Sequence, residues 1–153
     1  MLPREAIGRD RDRLDNRIGY ELKGAQHSLR LRMDDALRGH GVTTPQYAAM
    51  SVLAEQPGLS NAQLARRSFL TPQTMNQILG KLEGLGFVER RGHPEHGRVL
   101  QAYLTRSGER LRDECDRTVA AVEKRMVSGL SEDEQRRLLE ALCRCAEALR
   151  KDD

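Results

Sequence analysis

Apolar residues recur along this chain in two rhythms. Leu14, Ile18, Leu22, Ala25, Leu29, Met33 and Leu37 step by three or four, the spacing that lines one face of a helix. Gly39 and Gly41 end the run, which predicts a helix of roughly six turns, longer than the rest of a small domain can cover. Residues 1–13 before it are polar and charge-alternating and read as an arm. Thr44-Pro45-Gln46 opens a second helix, expected through Ala54, before the break at Pro57-Gly58. Ser60 with Gln63 three residues on is a capping box for a third, expected to end near Ser68. Thr71 and Pro72 supply an N-cap and a first-turn proline for a fourth, in which Met75, Ile78, Leu79 and Leu82 face a core. After Gly86 the period shortens. Residues 87–91 read as a strand and 98–104 as its antiparallel return, around the polar loop Gly92-His93-Pro94-Glu95-His96-Gly97. Two helices close the chain. One follows Thr105 and aligns Leu111, Cys115, Val119, Val122 and Met126; the other opens with the Ser131/Glu134 capping box and aligns Leu138, Leu142, Cys145 and Leu149.

The fourth helix organises the rest. At ~100° per residue its outer face carries Gln73, Gln77, Gly80, Lys81 and Gly84, flanked by Thr74 and Asn76. No carboxylate lies among them, whereas a solvated face usually mixes Glu with Lys. A glycine inside a helix costs roughly 1 kcal/mol against alanine, and Gly80 lies well inside. A missing side chain there lets another surface come close. Gln and Asn can pair bidentately with adenine, and Lys can contact guanine or phosphate. This stretch by itself fits both a DNA recognition helix and an ordinary polar surface helix. Its context adds a short helix and tight turn before it, the spacing of a helix-turn-helix, and a basic hairpin directly after it, the layout of a winged helix.

Composition narrows the picture further. The 153 residues fit a single domain, and 32% charged with 3% aromatic residues favours helices joined by aliphatic seams. Residues 60–98 hold six basic side chains (Arg66, Arg67, Lys81, Arg90, Arg91, Arg98) against Glu83, Glu89 and Glu95, an excess equal to the net charge of +3. A local basic excess is the footprint of a nucleic-acid binder. There is no signal peptide and no apolar run near the ~18 residues of a membrane span, so a cytoplasmic location is expected. Cys115, Cys143 and Cys145 are too few and wrongly spaced for a disulfide framework or zinc site. His93 and His96 flank Glu95 in a loop with no second ligand pair, so no metal and no cofactor are expected. No nucleophile with a neighbouring base, phosphate loop or placed carboxylate pair suggests an enzyme.

The order of elements, with the stretches 42–47, 59–65, 71–76, 82–90 and 104–108, resembles the MarR family of bacterial transcriptional regulators over about residues 18–149. The resemblance implies a mainly α (α+β) fold, with a winged helix-turn-helix lobe at 44–105 (wing about 87–104). Helices within 1–40 and 106–153 would form the dimerisation region of one domain spanning 1–153. It implies a homodimeric, sequence-specific DNA-binding regulator, a repressor on a pseudo-palindromic operator, released by a small aromatic or phenolic effector. Carried over by position, Thr71, Gln73, Thr74, Asn76, Gln77 and Lys81 would face the major groove, with Arg90 on the DNA side as well. Ser60 would donate to phosphate, and Arg98 would reach a minor groove. Where the family's wing reads Asp-Arg-Arg, this chain has His96-Gly97-Arg98, without the aspartate that orients the last arginine. Tyr20, His27, Arg30, Tyr47 and Met50 are the candidate effector residues. Two alternatives stand beside this reading: a winged-helix module that binds protein, and a cysteine-based redox-sensing regulator.

Overall fold

The computed structural model describes residues 17–150, so the arm at 1–13 and Leu14 lie outside the described residues. Helix α1 spans Ile18–Arg38 and ends at Gly39; Gly41, at φ +69°, turns the chain into α2, Thr44–Glu55. The helix opens at Thr44 as expected, and its cap is Thr43. Thr43 Oγ1 accepts from the Gln46 N–H at 3.3 Å, and Gln46 Oε1 accepts from the Thr43 N–H at 3.0 Å. Thr44 is thereby free to donate its hydroxyl to Asp34 of α1, at 2.5 Å.

A short strand that periodicity could not show, β1 (Leu59–Ser60), precedes α3 (Asn61–Arg67) and α4 (Pro72–Gly84). The wing is β2 (Val88–Gly92) and β3 (Leu100–Leu104), and β3 lies centrally in the antiparallel order β1-β3-β2. Leu59 pairs with Ala102, and Val88 with Leu104. Two residues are too few to display an alternating pattern, and only pairing with β3 makes β1 a strand. Helices α5 (Arg106–Met126) and α6 (Glu132–Ala148) complete the mainly α fold with its winged helix-turn-helix. The Ser131/Glu134 box caps α6 as expected.

The core gathers Leu37 of α1, Met50 and Leu53 of α2, Leu64 of α3, Met75, Leu79 and Leu82 of α4, and Cys115 of α5, all fully buried. Tyr47 of α2 donates to Asp116 of α5 at 2.5 Å, tying the lobe to a long helix, and His40, just after α1, meets Thr118 of α5 at 2.8 Å, tying the two long helices together. The far ends of the chain are different. Ile18, Tyr20, Leu22 and Leu31 of α1 are exposed, and α6 buries no residue, so Leu138, Leu139 and Leu142 stand in solvent.

Helix α3 ends in a Schellman turn. The Leu70 N–H reaches Ala65 O at 2.9 Å and the Phe69 N–H reaches Arg66 O at 3.3 Å, which puts Phe69 at the left-handed position, φ 57°. Glycine is the usual occupant; a side chain there costs about 1–2 kcal/mol. Leu70 supplies the apolar contact that closes such turns, packing on the core.

The chain entering the wing passes close against α5 at Gly108. A Cβ built there would lie 2.1 Å from the Phe87 carbonyl oxygen, and Thr105 Oγ1 donates to the Gly86 carbonyl at 2.6 Å in the same corner. Backbone against backbone cannot yield cheaply. Gly108→Ala is expected to destabilise the protein by about 2 kcal/mol, read from denaturant midpoints at constant m-value.

Candidate nucleic-acid interface

Helix α4 is built to present one face while the other is held. Thr71 caps it, accepting from the Thr74 N–H at 3.2 Å and donating to Thr74 Oγ1 at 2.9 Å. Met75, Leu79 and Leu82 are buried, with Ile78 half-buried beside them. Gln73, Thr74, Asn76, Gln77, Gly80 and Lys81 are exposed. A Cβ at Gly80 or Gly84 would meet no atom within 4 Å, so nothing inside the fold requires glycine at either position. Gln73, Gln77 and Lys81 make no side-chain hydrogen bond or ion pair among the described residues. These three side chains are therefore available to an outside partner, whereas the Thr71 hydroxyl is committed to its cap.

The neighbouring helix is pinned to the first turn of α4. Asn61 Nδ2 donates to the Pro72 carbonyl at 2.9 Å, so the start of α3 is tied directly to the start of α4. Ser60 caps α3 through Gln63, its oxygen accepting from the Gln63 N–H at 3.3 Å while the hydroxyl proton stays available. That geometry leaves Ser60 able to donate to an anion at the helix start.

Arg90 and Asn76 depart from the sequence reading. The Arg90 guanidinium donates to Glu83 Oε2 at 3.2 Å and Oε1 at 3.4 Å, and to Asn76 Oδ1 at 3.1 Å. Its side chain is only 19% exposed. Arg90 is therefore a strut between β2 and α4 instead of an open cation. The same bond occupies the acceptor that Asn76 would need to read adenine, leaving chiefly its amide donors. No periodicity signals this three-way junction, because it joins residues seven and fourteen apart across two elements.

The wing tip runs from His93 to Val99 and closes on itself. His93 Nδ1 accepts from the N–H groups of Glu95 and His96, at 3.0 and 3.2 Å, and His93 N–H reaches Val99 O at 2.8 Å. The His93 imidazole thus braces the loop from inside, but makes no hydrogen bond to Arg98. Arg98 lies in the turn, not in the return strand expected from residue 98, and is exposed with no ion pair among the described residues. Arg91 stacks on the Tyr103 ring at 4.6 Å and pairs with Glu89.

The five candidate effector residues are not brought together. Met50 is fully buried in the core. Tyr47 is half-buried and bound to Asp116; burial first, then that hydrogen bond, pushes its phenol up to about 12, which keeps it a donor. Tyr20 and His27 are exposed on the outer half of α1. Arg30 alone of the five lines a crevice of about 610 Å³ between α1, the start of α2 and α4. Asp34, Arg38, Val42, Ile78 and, from the α4 outer face, Thr74, Gln77 and Lys81 share that crevice. Arg38 escaped the sequence reading because its partner wall, α4, lies some forty residues away in the chain.

Known proteins share this fold. A MarR family model matches residues 40–99. The HTH-type transcriptional repressor Rv2887 of Mycobacterium tuberculosis is 38% identical over 131 residues, spanning 84% of this chain and 94% of that protein. The chain belongs to the MarR family. Among solved MarR-type structures it is similar to Rv2887 in complex with DNA, with a TM-score of 0.70 and 33% identity over 84% of this chain and 97% of that one. Rv2887 in complex with salicylic acid gives a TM-score of 0.70 and 36% identity, covering 84% and 96%. The transcriptional repressor CouR, bound to a 23-mer DNA duplex, gives a TM-score of 0.82 and 25% identity, covering 90% and 97%.

The strut in this MarR-family lobe can be tested without DNA. Arg90→Met should cost about 1 kcal/mol and raise amide exchange in β2 and the last turns of α4. Unchanged exchange there would show that the wing holds its place without Arg90.

Proposed function

We propose that this chain is a sequence-specific DNA-binding repressor that acts as a homodimer and is released from its operator by a small aromatic acid. The observation that carries the reading is the outer face of α4: exposed amides, a cation and a glycine, no carboxylate, and no task inside the fold. In this reading Gln73, Thr74 and Gln77 read base edges, Asn76 donates through its amide, and Lys81 reaches guanine or phosphate. Thr71 shapes the entry of the helix, Ser60 donates to a phosphate, and Arg98 reaches the adjacent minor groove from the wing tip. Arg90 acts through Asn76 and Glu83.

The dimer follows from what one copy leaves uncovered. The exposed apolar stripes of α1 and α6, within 1–40 and 106–153, are buried when two copies pair about a twofold axis. The lobes at 44–105 then hang below, with their α4 helices one duplex turn apart, ~34 Å, on a pseudo-palindrome. DNA-bound Rv2887 and CouR support this reading.

In this reading the effector binds the α1–α4 crevice, where Lys81 offers a cation unpaired among the described residues, Arg30 and Arg38 offer exposed guanidiniums that also pair with Asp34 and Asp35, and Val42 and Ile78 offer apolar wall to a ring. The complex of Rv2887 with salicylic acid supports that ligand class. A ligand there releases DNA only by binding the DNA-incompetent lobe spacing more tightly. The redox alternative is not favoured at Cys115, which is fully buried and whose thiol burial, with Glu114 and Asp116 adding, pushes up to about 11, away from the reactive thiolate; Cys143 and Cys145 are exposed on α6, distant in sequence from the reading helix. No described helix is long and apolar enough to cross a membrane, and the proposed repressor works in the cytoplasm beside the chromosome, without enzymatic activity.

Titration against DNA from the gene's own upstream region, with random DNA as competitor at two salt concentrations, tests the function. Tight, salt-dependent binding with clear preference over competitor is expected; equal binding to both DNAs would overturn the reading, and salt-insensitive binding would point to the protein-interaction module. Salicylate should weaken operator binding. Single substitutions then divide the labour. Gln77→Ala should cost about 1–3 kcal/mol on the operator and little on random DNA, while Lys81→Ala and Arg98→Ala should weaken both and reduce the salt slope by about 1 each. Equal effects of all three on both DNAs would remove Gln77 from base reading.

A further inference from the structure

We infer that Phe69 is a DNA-contacting residue whose ring lies against apolar surface of the operator, a thymine methyl or a deoxyribose, beside the base-reading end of α4. The inference rests on the DNA-binding reading above and extends it to a residue outside the helix.

The fold has no use for this side chain. Phe69 occupies the left-handed position of the Schellman turn after α3, where glycine serves better, and the residue is 95% exposed. The apolar closure of the turn is made by Leu70. A bulky residue held at positive φ while burying nothing is a structural cost with no structural return inside the chain. Its benefit lies outside.

Charge and position select the occupant. No Asp or Glu occurs anywhere in residues 56–82, a stretch that includes the whole turn. Arg66 and Arg67, in the last turn of α3, are exposed and form no ion pair among the described residues. Two residues after Phe69 the chain becomes Thr71, the cap of α4, and helix-turn-helix proteins read base edges with the N-terminal residues of that helix. An aromatic ring between arginines and base-reading amides matches a polyanion that also offers apolar groups at its groove wall, and Phe is among the side chains that contact the thymine methyl. A second copy of the same cationic turn would be repelled instead, and the uncovered apolar stripes that suit a second copy lie on α1 and α6.

The test compares wild type, Phe69→Gly and Phe69→Ala on the operator, on the same duplex with deoxyuridine for thymidine, and on random competitor. Glycine suits the turn, so Phe69→Gly should keep or raise Tm, by up to ~4 °C, with an unchanged salt slope. Its operator affinity should fall about tenfold. Phe69→Ala should lose the same affinity while melting below Phe69→Gly, which assigns the loss to the ring and not to the turn. If removing the methyls weakens wild type but not Phe69→Gly, the ring touches thymine methyl. An equal deficit of Phe69→Gly on both duplexes assigns it to deoxyribose. Wild-type affinity in Phe69→Gly on every duplex would overturn the inference while leaving the repressor reading intact. Failure of wild type to prefer its operator would overturn both.

Discussion

The reading face depends on a narrow seam. Met75, Leu79 and Leu82 are the fully buried residues of α4, packed in one core with Leu64 of α3, Met50 and Leu53 of α2 and Val88 of β2. Each contributes about 1.5–3 kcal/mol by leaving water, enough to fix the helix while its remaining circumference is unconstrained. Polar braces then set its rotation and pitch: Asn61 at the first turn and Arg90 near the last. A base-reading helix must be rigid where it is held and free where it touches. This division of the circumference achieves both.

The lobe is coupled to the long helices through the core it shares with Leu37 and Cys115 and through specific close contacts beside it. Gly108 abuts the Phe87 carbonyl, Tyr47 reaches Asp116, and Thr44 reaches Asp34. The crevice sits on the same route, walled by α1 on one side and by Thr74, Gln77 and Lys81 on the other. A ligand wedged there touches residues proposed to touch DNA. Competition for Lys81 and displacement of the lobe are thus consequences of a single location.

Much of this was legible from periodicity and caps. The apolar stripe of α4 and the boxes at Ser60 and Ser131 are local signals, and the structure follows them. Long-range pairing was not legible. The strand β1 exists because Leu59 finds Ala102, and Asn76 loses its acceptor to an arginine fourteen residues on. The cap of α2 is Thr43 and not Thr44 because Gln46 stands three residues after Thr43 and closes a capping box with it, a local signal of the same kind as Ser60 with Gln63, while Thr44 turns to Asp34. Met50 looked adaptable and available, yet its position on α2 points it into the core. Phe69 drew no notice because an exposed aromatic at a glycine position is visible only once φ is known.

The lack of any buried residue in α6 bears on inheritance as much as on folding. In the twofold pairing proposed above, the surface that selects a mate is separate in sequence from the surface that reads DNA. An allele ruined on α4 but sound in α1 and α6 would still enrol normal copies into mixed pairs, each with one blind half. Loss of function in the reading helix would therefore be dominant over the normal allele, whereas truncation before α6 would be recessive.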